Sequence, residues 1–243
     1  MIEAITFDYW NTLVATSDEI LYQRRAEHWV AVLAEAGHDV SLNDVSEAFK
    51  GSWRSFREAW HANQQYVTAD GVGRVLELLG VPADDGVATT LVEHYGAGAL
   101  EAELSLAPNV TETLSGLKDA GVRLGIICDV GMTPSTALRA ALEQFGVMDR
   151  FDHHSFSDDV GVYKPDPAIF AHALAGLGST PATSAHVGDL RRTDVAGALG
   201  AGWTAVRYAG LHDDDGAEDD TAEVEADVVI RDHAELPGAL GLS

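Results

Sequence analysis

Past Pro108 the chain alternates short apolar runs with helix-length stretches, and this alternation constrains its fold more than any other feature. Val122 to Cys128 reads as an apolar strand, and Ser184–Val187, Trp203–Val206 and Asp227–Ile230 fit further strands. Between them the helix signals are specific. Val110, Leu114 and Leu117 form the face of a helix that ends at Gly121, and a second helix is predicted at about 135–145. Asp166 and Pro167 supply an N-cap and a first-turn proline for a third, whose inward face is Ile169, Phe170, Ala173, Leu174 and Leu177 and which ends at Gly178. A fourth is predicted at about 191–200. At the other end of the chain, Ile2 to Phe7 is one more short apolar run, closed by Asp8. Strands alternating with helices imply an α/β fold: a doubly wound parallel sheet covered on both faces.

Residues 14–105 break the alternation, because only helical periodicity is present there. Thr16 with Glu19 resembles a capping box, followed by a face of Leu21, Ala26, Trp29, Leu33 and Ala36 that stops at Gly37. Ser41 with Asp44 starts a second helix, with Val45, Phe49, Trp53, Phe56 and Trp60 along one stripe, read as packing inside this segment. Two shorter helices are predicted at about 69–79 and 84–102. The expected organisation is a sheet domain from residues 1–13 and 106–243, with 14–105 inserted as an all-helical domain.

Charge narrows the partners. Of 243 residues, 15 are Lys or Arg and 39 are Asp or Glu, a net charge of −24 that repels a phosphate backbone and argues against nucleic-acid or anionic-membrane binding. Much of the acidity falls in His212 to Glu225, read as a solvated loop. The single cysteine, Cys128, rules out an internal disulfide framework and suits a reducing compartment. With no secretory signal pattern and no membrane-length apolar run, the expectation is a cytoplasmic protein acting on a small molecule, as monomer or homodimer.

In an open parallel sheet, ligands bind outside the carboxyl ends of the strands. The polar residues that follow the apolar runs are Asp8, then Cys128 and Asp129, then Asp189, with Lys164 in a loop near the same end. A lone strand-end Asp is ordinarily a cap or turn former; three acids and a lysine converging are harder to explain so. Two carboxylates about 4 Å apart repel by about 4 kcal/mol at an effective dielectric near 20, so Asp8, Asp189 and Asp194 could share one pocket only with a cation among them. Oxygen-only ligands suit Mg²⁺. No His/Cys cluster has zinc spacing, and the nearest candidate, His153-His154, reads as an exposed loop pair.

These residues also form recognisable motifs. Phe7-Asp8-Tyr9-Trp10-Asn11-Thr12-Leu13 resembles the first motif of the haloacid dehalogenase superfamily of hydrolases, Lys164-Pro165-Asp166-Pro167 its third, and Val187-Gly188-Asp189 with Asp194 its fourth. The helical insertion is similar to that family's first type of cap domain. The resemblance implies that Asp8 is the nucleophile of a covalent aspartyl intermediate. It also implies that the Trp10 carbonyl, Asp8 and Asp189 hold Mg²⁺ with Asp194 supporting the site through water, and that Lys164 offsets the crowded charge. Trp10, Asn11, Cys128 and Asp129 become candidates for contacting the substrate, as does Arg24 in the insertion, although Arg24 and Arg25 also read as ordinary solvated helix arginines.

Two positions depart from the family pattern. Most of its phosphatases carry a second Asp two residues after the nucleophile, as acid/base for the leaving group; here Trp10 stands there, and indole cannot transfer a proton in that role. The second-motif Ser/Thr is replaced by Cys128. The leading expectation is a Mg²⁺-dependent phosphatase acting on a small phosphorylated molecule. A 2-haloacid dehalogenase using Asp8 without metal is the first alternative, favoured by a non-acidic residue at position 10 and disfavoured by Asp189. A non-catalytic binding protein on the same fold is the second.

Overall fold

The computed structural model describes residues 1–242 except 16–17, 83–84, 101–103, 218–220 and 222. In chain order its elements are β1 (Ala4–Phe7), β2 (Val14–Ala15), α1 (Asp18–Glu35), α2 (Leu42–His61), α3 (Thr68–Leu79), α4 (Asp85–Leu100), β3 (Ser105–Leu106), α5 (Val110–Asp119), β4 (Arg123–Cys128), α6 (Ser135–Gln144), β5 (His153–Phe156), α7 (Ser157–Val160), α8 (Pro167–Leu177), β6 (Ser184–Gly188), α9 (Ala196–Gly200), β7 (Thr204–Tyr208), β8 (Val228–Ile230) and α10 (Leu236–Ala239). They divide into two compact units, one of residues Met1–Ala15, Ser105–Asp129 and Leu142–Ser243, the other of Thr16–Leu104 and Val130–Ala141.

The first unit is built on a six-stranded, all-parallel sheet in the order β5-β4-β1-β6-β7-β8. Central strands buried on both faces read as continuous apolar runs, and all four residues of β1 are buried. Register is set pairwise: Ala4 pairs with Arg123 on one side and with Ser184 on the other. The chain first winds from β1 outward through β4 to β5, then returns to β6 on the opposite flank of β1. This reversal opens the crevice in which α/β proteins bind ligands, at the carboxyl ends of β4, β1 and β6. Ile127, Ile169, Phe170, Ala173, Val195, Ala198, Trp203 and Ala205 close one packed layer over the sheet. Where the insertion leaves and re-enters this unit, β2 and β3 pair antiparallel.

Several sequence expectations change here. His153 and His154 are not an exposed loop pair: they open the edge strand β5 opposite Gly125 and Ile126 and are half-buried. An edge strand with one polar-facing end gives little apolar alternation, so its signal was weak. The segment at 191–200 begins as a π-helical turn (Arg191–Val195) and becomes α-helical only at α9. The acidic stretch from His212 is fastened by three arginines rather than simply solvated: Arg191 donates to Asp214, and both Arg207 and Arg231 pair with Asp213.

The second unit is helical. Ala26, Trp29, Leu33, Val45, Phe49, Val72, Val75, Leu76, Leu91 and Tyr95 are buried together, with Met132. Ser41 and Asp44 form the capping box that starts α2, and Gly37 leaves α1 at φ +88°. The capping pair expected at Thr16 and Glu19 rests on Thr16, outside the described residues. Trp53, assigned by its spacing to the packed stripe, is instead 40% exposed, with Phe56 beneath it at 5.0 Å between ring centroids. Residues Val130–Ala141, expected with the sheet, group with the helices, where Met132 fills their core.

Candidate active site

Each of the three central strands delivers one end of the site. Past β1, the Asp8 N–H donates to the Val187 carbonyl at 2.8 Å, extending the pairing one residue beyond the strand and fixing where Asp8 emerges. The next loop turns tightly: Leu13 and Val14 both donate to the Tyr9 carbonyl, and Asn11 takes φ +56°, a conformation Asn tolerates. β6 delivers Asp189, and the π-helical turn brings Asp194 back against Gly188, where a side chain on the glycine would overlap the Asp194 carboxylate. Lys164 arrives from the loop before α8, its backbone N–H donating to Asp129 Oδ1 at 2.8 Å.

The side chains meet in a buried cluster. Lys164, 1% exposed, uses all three ammonium donors: to Asp8 Oδ1 at 2.5 Å, to Asp194 Oδ1 at 2.7 Å and to the Ile127 carbonyl at 3.2 Å. His186 Nε2 donates to the same Asp194 oxygen at 2.9 Å, which leaves Nδ1 to accept from Thr6 Oγ1 at 2.8 Å. The other Asp194 oxygen accepts from the Leu190 N–H at 3.0 Å. One oxygen from each of Asp8, Asp189 and Asp194 lies within 4.8 Å of the others.

Burial dominates the electrostatics. It pushes the Asp8 carboxyl well above the ordinary range, against the pull of Lys164 and with the push of Asp194 and Asp189. Asp189 is pushed up to about 6, again chiefly by burial, with its His212 hydrogen bond opposing. For Asp194, burial is outweighed by Lys164 and His186, which hold it below the usual range; burial of Lys164 is likewise outweighed by Asp194 and Asp8. Lys164 and Asp194 therefore form the settled ion pair, while burial disfavours the charged forms of Asp8 and Asp189. Carboxylate oxygens without nitrogen or sulfur ligands fit Mg²⁺, which takes one or two carboxylates and keeps the rest of its shell for water and substrate.

Asp8, Lys164, Asp189 and Asp194, far apart in sequence, are thus brought together. Trp10 and Asn11 occupy the loop directly after Asp8, the Trp10 ring edge-on to Tyr9 at 4.9 Å. Cys128 is fully buried with its thiol directed to the Asp129 carbonyl at 3.6 Å, and burial followed by Asp8 pushes its pKa well up. One Asp129 oxygen is committed to the backbone of Lys164, so a positioning task falls to a residue expected to face substrate. Arg24 stands exposed on α1 in the helical unit. Its neighbour Arg25 is buried there rather than solvated, donating to Thr133 Oγ1 at 2.7 Å and lying over the Tyr95 ring at 4.3 Å. Sequence reasoning missed Thr6, His186 and His212: each lies on or beside an element correctly located, but nothing in the one-dimensional pattern says which way it points.

Comparison with known proteins gives the family. A family model described as haloacid dehalogenase-like hydrolase matches residues 2–202. The ribulose-1,5-bisphosphate 5-phosphatase of Halopiger xanaduensis is 30% identical over 197 residues, 76% of this chain and 81% of that protein. A 2-haloacid dehalogenase from Pseudomonas syringae pv. Tomato DC3000 superimposes with a TM-score of 0.72 at 26% identity, over 99% of both chains. A HAD phosphatase from Thermococcus onnurineus does so with a TM-score of 0.69 at 27% identity, over 99% of this chain and 98% of that one.

Proposed function

The chain belongs to the haloacid dehalogenase-like hydrolase family, and on that premise we propose that it is a Mg²⁺-dependent phosphatase acting on a small phosphorylated molecule. The observation that carries this reading is the crowding in the cluster: three buried carboxylates within 4.8 Å of one another share the Lys164 ammonium, and burial holds back the charged forms of Asp8 and Asp189, which a bound divalent cation would favour. A metal-free site for an anionic haloacid would gain nothing from Asp189.

In this reading Asp8 is the nucleophile. Its Oδ1 already accepts from Lys164, so the second oxygen is the one to form the bond to phosphorus as the leaving-group oxygen departs with the P–O electron pair. Water then cleaves the aspartyl phosphate and regenerates the Asp8 carboxylate. Asp8, Asp189 and the Trp10 carbonyl would hold the ion, with Asp194 supporting it through Lys164 and water; when bound, Mg²⁺ neutralises charge on the phosphoryl oxygens. The chain Thr6–His186–Asp194–Lys164 fixes the ammonium that restrains Asp8. Asp129 holds the Lys164 backbone in place, and Cys128, with its thiol on the Asp129 carbonyl, stands beside it as a candidate wall of the substrate site. The helical insertion, expected at residues 14–105, is the counterpart of the family's cap domain in this reading, and Arg24 on α1 is kept as a candidate for contacting substrate.

Turnover of p-nitrophenyl phosphate tests this directly. It should require Mg²⁺, stop with EDTA and be lost in Asp8→Asn, and fluoroberyllate should trap on Asp8. Activity that persists in EDTA would overturn the metal-dependent reading. The presence of Trp10 favours a second one, dehalogenation, because halide leaves unprotonated; that reading predicts chloride release from 2-chloropropionate with or without EDTA.

A further inference from the structure

The acidic segment after β7 ends on the site. His212 Nδ1 donates to Asp189 Oδ2 at 3.1 Å, with the imidazole 49% exposed and the carboxylate 3% exposed. Two residues further on, Asp214 grips the other side of the same loop: its Oδ2 accepts from the Arg191 N–H at 2.6 Å, and its carbonyl accepts from Arg191 Nε at 2.9 Å. Arg191, 8% exposed, continues to the Val224 carbonyl at 2.7 Å and to Glu225 at 3.2 Å. Between these two grips Asp213 is held by Arg207 at 2.6 Å and by Arg231 at 2.9 Å, and Asp214 Oδ1 closes the turn onto the Gly216 N–H at 2.7 Å.

We propose that His212 to Gly216 is a positioning strap for Asp189, in which His212 orients the carboxylate and Asp214 fixes the backbone that carries it. The inference rests on the reading of Asp189 as a metal ligand. Free rotation about two side-chain bonds would let a lone strand-end carboxylate scatter; a hydrogen bond to Oδ2 fixes the plane of the carboxylate and so the direction of both oxygens. Ligating carboxylates are commonly held this way, and loss of such a partner typically weakens metal affinity by about 10- to 100-fold. Two of the strap's aspartates have tasks in this arrangement: Asp213 takes the guanidinium groups of Arg207 and Arg231, and Asp214 takes the Arg191 backbone N–H.

The test is direct binding of Mn²⁺ alone to the full chain, by calorimetry and by the electron paramagnetic resonance signal of the bound ion, in His212→Ala, His212→Asn and Asp214→Ala. The alanine variants should bind about 10-fold or more weakly. His212→Asn, whose amide can donate from nearly the same place, should recover most of the loss. Metal-free thermal unfolding of the three should differ little, so the effect is on ligation and not on folding. If His212→Ala fails to fold, the comparison of His212→Asn with Asp214→Ala carries the test. Wild-type Mn²⁺ affinity in the strap variants, alongside lost binding in Asp189→Asn, would overturn the strap and leave the metal reading intact. Wild-type affinity in Asp189→Asn would overturn the metal reading itself, and the strap with it.

Discussion

The ammonium of Lys164 stands 2.5 Å from Oδ1 of Asp8, and the two side chains are 2% and 9% exposed. This pair carries the central tension of the site: the proposed nucleophile is buried beside two further acids, and Lys164 is the ammonium shared between it and Asp194. Replacing Lys164 with Met removes the cation that Asp8 and Asp194 share inside the protein, which should cost about 3–5 kcal/mol of stability at neutral pH. Added Mg²⁺ should then restore more stability to Lys164→Met than it adds to the wild type. Chemical denaturation with and without the ion measures both; equal Mg²⁺ effects would count against a shared charge site.

Gly188→Ala should be disproportionately harmful for a one-methyl change. The new Cβ would overlap the Asp194 carboxylate, and either Asp194 or the end of β6 must move. Overpacking of this kind costs about 1–3 kcal/mol. Because Asp194 holds Lys164, the variant should also lose phosphatase activity even at temperatures where it remains folded. Full activity in a folded Gly188→Ala protein would show that the position of Asp194 is not critical.

Trp10→Asp places a carboxyl where most phosphatases of this family keep their acid/base. If the leaving-group proton is what the native site lacks, the variant should gain activity on alkyl phosphates by up to about 10²–10⁴. The gain on p-nitrophenyl phosphate should be much smaller, since nitrophenolate leaves without a proton. A uniform change for both substrates would assign the effect to altered binding instead.

His233 is 1% exposed, donates from Nε2 to the Thr12 carbonyl at 2.9 Å and stacks on Tyr208 at 4.4 Å, tying the C-terminal segment to the loop after Asp8. Burial lowers its pKa below the ordinary histidine value. The folded state therefore binds fewer protons than the unfolded state as pH falls through about 6.5, so this residue's stabilisation is present above that pH and lost below it. The slope attributable to one such group is at most about 1.4 kcal/mol per pH unit. Unfolding free energies measured between pH 8 and 5 should fall less steeply in His233→Gln than in the wild type, and an unchanged slope would refute the assignment.

How much was legible in advance depends on whether a residue's task is written in its own neighbourhood. Asp8, Lys164 and Asp189 could be found because each follows an apolar run or sits in a local motif, and parallel sheets gather such ends on one edge. Ser41 with Asp44, and Gly37 beyond α1, were equally readable, since a cap is a contact across three or four residues. The tasks of Asp129 and His212 were not, because each is defined by a partner more than 20 residues away. Trp53 shows the limit from the other side: its spacing placed it on the apolar stripe, yet whether that turn of α2 is covered depends on neighbours the stripe does not name.

The amino-acid order by itself determined the alternating architecture, the helical insertion and the identities of the acids at the strand ends, because hydrophobic periodicity and capping are local and survive without a partner. The folded arrangement alone decided that Lys164 pairs with Asp194 as well as Asp8, that His186 and Thr6 stand behind them, and that an acidic loop is drawn onto Asp189 by arginines. Those outcomes depend on the direction of side chains brought together from distant segments and on charges whose strength is set by burial, and neither quantity exists until the chain has closed around them.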